Sequence, residues 1–272
     1  MKEEILIKYF SKVLRRFRIK YKLVYKDPEN EEAIHDLRIS IKRIKAFLKF
    51  VEKIDNQFEF KKMYQPWRDL FKDVGQYRDN QVLLNKLFEK SENAIEIKLQ
   101  CDPLDIKPLK INFSHDFLKN VKKVIKHSLM SAGTTSTFKA YLENRIGTIS
   151  YLLNLSDPER ELKLHVLRKL LKELNYNLKF LRELQEMKFK GQKLDAWLDK
   201  MMDLLGNWHD NKLAISALGD PNYSLPLNLK GLAKQKIKKE LISESDLLKS
   251  KISKLCSDKK TLGRLLLLSQ NF

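Results

Sequence analysis

One stretch, residues 34–51, constrains the fold of this chain more than any other. Five basic residues recur in it at steps of three or four, so at about 100° per residue they share one side of a helix. We call these residues the first stripe: His35, Arg38, Lys42, Lys45 and Lys49. Five apolar residues follow the same period on another side: Leu37, Ile41, Ile44, Leu48 and Val51. The pattern predicts an amphipathic helix that buries its apolar face and leaves the basic row free.

The basic pattern returns 130 residues later as a second stripe, consisting of His165, Arg168, Lys172 and Lys179. The motif Asp-Pro-Glu at 27–29 recurs at 157–159 with the same shift, and GQYRDN at 75–80 resembles GNWHDN at 206–211. This order predicts two duplicated helical bundles related by a pseudo-two-fold axis. If the two stripe helices face each other, they enclose a basic row roughly 20 Å long, since 14 residues rise about 1.5 Å each. Such a row suits a long polyanion.

Composition narrows the class of protein and of partner. The 272 residues include only 8 Gly and 7 Pro, and their long periodic segments are helical, so we predict an all-α fold. A net charge of +19 favours phosphate-rich partners. Cys101 and Cys256 form no paired motif, which is typical of reduced thiols. Glu3 and Glu4 stand where a signal peptide would be apolar, and no segment approaches the roughly 20 apolar residues of a membrane span. We therefore expect a cytoplasmic protein that does not bind membranes.

Turn and cap residues predict the organisation of the chain. We predict a first bundle over 1–130, a linker over 131–137 (SAGTTST) and a second bundle over 138–272. Asp27 and Pro28 are expected to begin the stripe helix as N-cap and first helical residue. Gly75 is expected to end the third helix, with Asp79 capping the next one or pairing with an Arg. The segment 98–112, which contains two prolines, is predicted to be a loop.

Two signatures in the chain resemble those of the CHAD domain, the conserved histidine α-helical domain. The first has a His followed by basic residues at +3, +7, +8 and +10, which here are His35, Arg38, Lys42, Arg43 and Lys45. The second, LHVLRKLLKELNY, supplies His165, Arg168, Lys169, Lys172 and Tyr176, and the two Gly-x-x-basic-Asp segments are also similar. Asn175 replaces a usual basic residue and Glu173 stands opposite Arg43, so the second stripe carries less charge.

This resemblance implies a pair of four-helix bundles around a basic central cavity that binds inorganic polyphosphate. It also implies a free-standing protein located on polyphosphate granules, with sulfate or phosphate able to occupy the site in crystals. We expect no catalysis, no cofactor and no metal. Arg15 and Arg145 are expected to extend the site from neighbouring helices. The full set expected to bind polyphosphate is His35, Arg38, Lys42, Arg43, Lys45, Lys49, His165, Arg168, Lys169, Lys172, Lys179, Arg15 and Arg145. We expect the two histidines to contact phosphate, with binding strengthening below their ordinary pKa near 6.5.

Two other functions are compatible with the basic surface. The first is nucleic-acid binding, although base stacking needs exposed aromatic rings and Tyr176 is the one candidate; Trp67, Trp197 and Trp208 follow core spacing. The second is hydrolysis of polyphosphate or triphosphate. Three His-Asp pairs, at 35–36, 115–116 and 209–210, resemble those of metal phosphohydrolases. The repeat weakens that interpretation because His35 recurs as His165 whereas Asp36 recurs as Val166.

Overall fold

The computed structural model describes residues 3–90, 113–130, 134–183, 192–220, 231–258 and 263. Within these ranges the chain forms eight helices and no strand, which confirms the all-α prediction. The helices, numbered in chain order, are α1 Glu3–Lys26, α2 Glu31–Ile54, α3 Phe60–Lys90, α4 His115–Met130, α5 Thr134–Leu153, α6 Asp157–Glu183, α7 Gln192–Gly219 and α8 Gly231–Cys256. The predicted loop over 98–112 lies outside the described residues.

Helix α2 is the central element of the packing, since it contacts α1, α3, α4, α5 and α6. All five residues of its predicted apolar face are fully buried. One continuous cluster of buried side chains joins helices from both halves of the chain; for example, the rings of Phe50 on α2 and Tyr141 on α5 are 6.4 Å apart. Trp67, Trp197 and Trp208 are buried in this cluster, as their spacing predicted.

A second, smaller core lies where α3 meets α7 and α8. Leu83 and Leu87 of α3 pack there with Ala214 and Leu218 of α7 and with Leu241 of α8. The second half of α3 therefore packs against helices from the other half of the chain. This packing fixes α3 at the side of α2, where it contacts the first stripe.

Three local predictions differ from the structure. The N-cap of α2 is Asn30, whose side chain accepts a hydrogen bond from the Ala33 amide at 2.9 Å, so Asp27 and Pro28 precede the helix. Residues 134–137 of the predicted linker form the first turn of α5, because Ser and Thr tolerate the start of a helix as well as a loop. Residues 131–133 lie outside the described residues.

The third difference concerns the predicted break at Gly75. Helix α3 runs without interruption from Phe60 to Lys90, so Gly75 is not a C-cap and Asp79 is not an N-cap. Pro66 lies in the second turn, after the start of the helix. Helix α7 likewise passes through Gly206. In both helices, burial of long apolar faces outweighs the roughly 1 kcal/mol cost of an internal glycine.

Candidate functional site

The two stripe helices, α2 and α6, pack against each other and bring their basic side chains together. Burial, together with the positive charges of Lys172, Arg38 and Arg168, lowers the pKa of the Lys42 ammonium to about 7. Burial and repulsion from Arg168 and Arg38 likewise lower the pKa of Lys172 to about 8. Charges influence one another in this way only at close range. The stripes therefore converge at these four residues, which we call the central quartet.

Arg38 is held in place by groups from α3. Its guanidinium lies 4.4 Å from the centre of the Phe71 ring, and its Nη2 is 3.7 Å from a carboxylate oxygen of Asp79. Its Nη1 donates a long hydrogen bond of 3.5 Å to the Phe71 carbonyl. The ion pair with Asp79 agrees with one of the two roles predicted for that residue. These contacts orient the guanidinium but leave most of its donors available to another acceptor.

Arg168 has fewer partners than Arg38. Its Nε is buried and has no hydrogen-bond partner among the described residues. Asp210 supplies the largest opposing charge, which partly offsets the lowering of the Arg168 pKa by burial. A buried donor without an acceptor is costly, so this guanidinium is prepared to bind an anion.

Aromatic side chains of α3 support the first stripe, and the sequence analysis did not identify them. The ammonium of Lys42 lies 5.6 Å from the centre of the Phe71 ring, and that of Lys45 lies 5.5 Å from the centre of the Tyr64 ring. Cations at these distances are attracted to the face of a ring. The seven-residue spacing of Tyr64 and Phe71 places both rings on one side of α3 and could have indicated this role.

Gly75 makes room for Arg38. A methyl group built on Gly75 would lie 2.6 Å from Nη1 of Arg38, whereas one built on Gly206 would meet nothing within 4 Å. The glycine in the first half of the chain is therefore needed for the close approach of a site residue, and its counterpart in the second half is not.

Glu173 neutralises one end of the site. Its carboxylate pairs with Lys49 at 3.3 Å and with Nε of Arg145 at 2.9 Å, and it accepts a hydrogen bond from the hydroxyl of Tyr141. The structure thus brings Arg145 and Lys49 together, as expected, but gives both a carboxylate partner. Asn175, which replaces a basic residue, is buried with its amide 3.3 Å from the sulfur of Met202.

The two stripe histidines, and a third histidine near them, have lowered pKa values. Burial is the main cause for both His35 and His165, and nearby arginines and lysines lower the pKa further. His209, which the sequence analysis did not assign to the site, has its ring centre 5.3 Å from that of His165. Burial and the charge of Arg168 lower its pKa to about 4. Its position in the repeat, at the counterpart of Arg78, could have indicated this location.

The remaining predicted residues occupy different surroundings. The charge of the exposed Lys169 lowers the pKa of both Lys45 and His165, so Lys169 lies near these two residues. Arg43 lines a cavity of about 10 Å³ with Tyr176, enough for one water molecule. Lys179 is exposed, and no contact within the described ranges links it to the quartet. Arg15 lies on a separate groove between α1 and α4.

No group of three or more His, Cys, Asp or Glu side chains in the described ranges of the chain is arranged to hold a metal ion. None of the helices in those ranges combines the length and the apolar character needed to cross a membrane.

The family model described as the CHAD domain matches residues 8–219, which is most of the chain and includes both stripes. No curated protein matches the sequence.

Proposed function

This chain belongs to the CHAD domain family, and from that premise we propose that it binds inorganic polyphosphate between its two stripes without chemically altering it. The family is associated with polyphosphate binding. The observation that carries the proposal for this chain is the convergence of Arg38, Lys42, Arg168 and Lys172 from two helices.

Repulsion among the cations of the central quartet favours binding of an anion. Four cations that lower one another's pKa repel each other in the free protein, and an anion between them removes that repulsion. The two guanidiniums can each grip two phosphate oxygens, whereas the two ammoniums act as mobile point charges. This mixture suits an unbranched phosphate chain that has no fixed register on the protein.

The supporting contacts favour polyphosphate over nucleic acid. The rings of Phe71 and Tyr64 already lie under cations, and Tyr176 is largely buried beside Arg43. None of these rings is a free platform on which a base could stack. A ligand that has phosphates but no bases therefore matches this surface better than a nucleic acid does.

We further infer that the two halves of the chain are duplicated bundles related by a pseudo-two-fold axis around the bound chain. Arg38 is near Asp79 and Arg168 is near Asp210, which are corresponding positions of the two halves. The binding function needs no cofactor or metal. Its proposed setting is the cytoplasm, where the protein associates with polyphosphate granules.

A titration with long-chain polyphosphate tests this function. Replacing Arg38 and Arg168 together by Ala should weaken binding at least about 100-fold, since each replacement loses a charge-assisted contact worth about 1.5–3 kcal/mol. The matched control replaces two exposed lysines away from the stripes, Lys126→Ala with Lys251→Ala, and should change the affinity little. Circular dichroism confirms that each variant is folded, and equal affinities of the two double variants would refute the site.

Two further measurements separate the alternatives. In competition at physiological salt, long polyphosphate should displace single-stranded RNA of equal charge, and the reverse order would favour nucleic-acid binding. Incubation of polyphosphate with the protein and Mg²⁺ or Mn²⁺ should release no phosphate, and steady release would indicate hydrolysis.

A further inference from the structure

A second basic groove lies between α1 and α4, separate from the stripes. It encloses about 510 Å³, within the range of roughly 300–1,000 Å³ that is usual for ligand sites. Its cationic residues form two helical rows, one on each helix: Arg15, Arg18 and Lys22 on α1, and Lys119 and Lys122 on α4. The floor is apolar and includes the buried Leu14 and Leu118.

The groove has an unbalanced charge. No carboxylate is among its described lining residues, which also include His115 at the start of α4. None of its five Arg and Lys residues forms an ion pair or hydrogen bond with another described residue. By contrast, Lys20 on the same helix pairs with Asp36 at 2.6 Å, and the stripe residue Lys49 pairs with Glu173. Cations concentrated without counter-charges raise the local concentration of anions.

The position of Arg15 shows that this groove differs from the central site. Arg145, its counterpart in the second half of the chain, pairs with Glu173 beside the second stripe. Arg15 instead faces α4, and the groove shares no residue with the two stripes. The two positions therefore correspond in sequence but serve different surfaces.

We propose that this groove binds a compact oligophosphate, a short anion carrying about three phosphate groups. At neutral pH a terminal phosphate group carries about −1.5 to −2 charges and an internal one about −1, so a chain of three groups carries about −4 to −5 and roughly balances five cations. The aliphatic stems of Lys and Arg cover the apolar floor while their charged ends reach the ligand. The described lining contains no Phe, Tyr or Trp side chain, so the groove suits phosphate groups better than a stacked base.

Calorimetric titration with tripolyphosphate tests the proposal. We expect the full chain to show a groove site that is lost, or weakened at least tenfold, in either of two variants that change opposite walls. These variants are Arg18→Gln with Lys22→Gln and Lys119→Gln with Lys122→Gln. The control, Lys123→Gln with Lys126→Gln, removes two exposed charges at the same spacing on α4 and should bind like the unmodified protein.

The same titration separates this site from the proposed function. The Arg38→Ala, Arg168→Ala variant should keep the groove site although it loses long-chain binding at the stripes. If that variant loses all tripolyphosphate binding, or if the groove variants and their control bind equally, the groove proposal is refuted. If the stripe variant binds long chains normally while the groove variants fail, the proposed function is wrong and the groove is the principal site.

Discussion

Replacing Gly75 by Ala tests how precisely Arg38 must be placed. An ordinary contact of a Cβ atom is about 3.4 Å or longer, so the 2.6 Å approach to Nη1 requires the guanidinium to move by roughly 1 Å. Its contacts with Asp79 and the Phe71 carbonyl, at 3.7 and 3.5 Å, are already long and would be lost. The guanidinium is also largely buried and has little space in which to move.

We expect the Gly75→Ala variant to bind polyphosphate about tenfold more weakly, equivalent to about 1.4 kcal/mol and similar to one charge-assisted contact. Its stability should change little, because a gain of about 0.5–1 kcal/mol in helix propensity is offset by displacement of Arg38. The Gly206→Ala variant is the matched control. It gains helix propensity without a clash, so its melting temperature should rise by about 1–2 °C with unchanged affinity.

Calorimetry and thermal unfolding of the two glycine variants test whether Arg38 binds polyphosphate from its position in the structure. If Gly75→Ala and Gly206→Ala bind polyphosphate equally, Arg38 does not contact the ligand from its position in the structure. If Gly75→Ala instead unfolds the protein, the same experiment with Arg38→Ala in the Gly75→Ala background shows whether the clash is the cause, since removal of the long side chain should restore folding.

Three further predictions follow from the charges. Lys42→Met should raise the free energy of unfolding by about 1–2 kcal/mol at pH 7, because burial and neighbouring cations disfavour the Lys42 charge in the free protein. The same variant should bind polyphosphate more weakly. A lower free energy of unfolding in denaturant titrations would contradict this prediction. Polyphosphate affinity should fall between pH 6 and pH 9 as Lys42, with a pKa of about 7, and Lys172, with a pKa of about 8, lose protons that the bound anion favours. The stability of the free protein should rise over the same range towards pH 10.5, because the unfolded lysines hold protons that the folded ones have lost. An affinity that rises with pH, or a stability that falls, would refute the lowered pKa values of Lys42 and Lys172. Glu173→Gln should strengthen polyphosphate binding about three- to tenfold, since it frees Lys49 and Arg145 to bind the ligand. It should also lower the melting temperature, because the two cations lose their shared partner. Unchanged binding would place Lys49 and Arg145 outside the site.

The helices and the basic rows were predictable because they depend on local periodicity. The buried face of α2 and the two stripes follow directly from steps of three and four residues. The 130-residue repeat also indicated that the stripes would be used together. These features need no knowledge of how distant side chains pack.

Two of the errors share one physical cause, which is that long-range packing overrides local preference. Gly75 is typical of a helix end, yet it lies inside α3, at a point where Arg38 approaches the backbone too closely for a side chain. Arg15 and Arg145 are equivalent in the repeat, but packing places Arg15 against α4 and Arg145 against Glu173. Contacts of this kind join residues that are far apart in the chain, so periodicity does not show them.

The salt dependence of long-chain polyphosphate binding tests most directly whether both stripes hold one chain. Each cation that neutralises a phosphate contributes about one unit to the slope of log affinity against log salt concentration. We predict that replacing Arg38 and Arg168 by Ala reduces this slope by about two, whereas the Lys126→Ala, Lys251→Ala control leaves it unchanged. Equal slopes for the unmodified protein and the arginine variant would show that the two arginines do not share a phosphate chain.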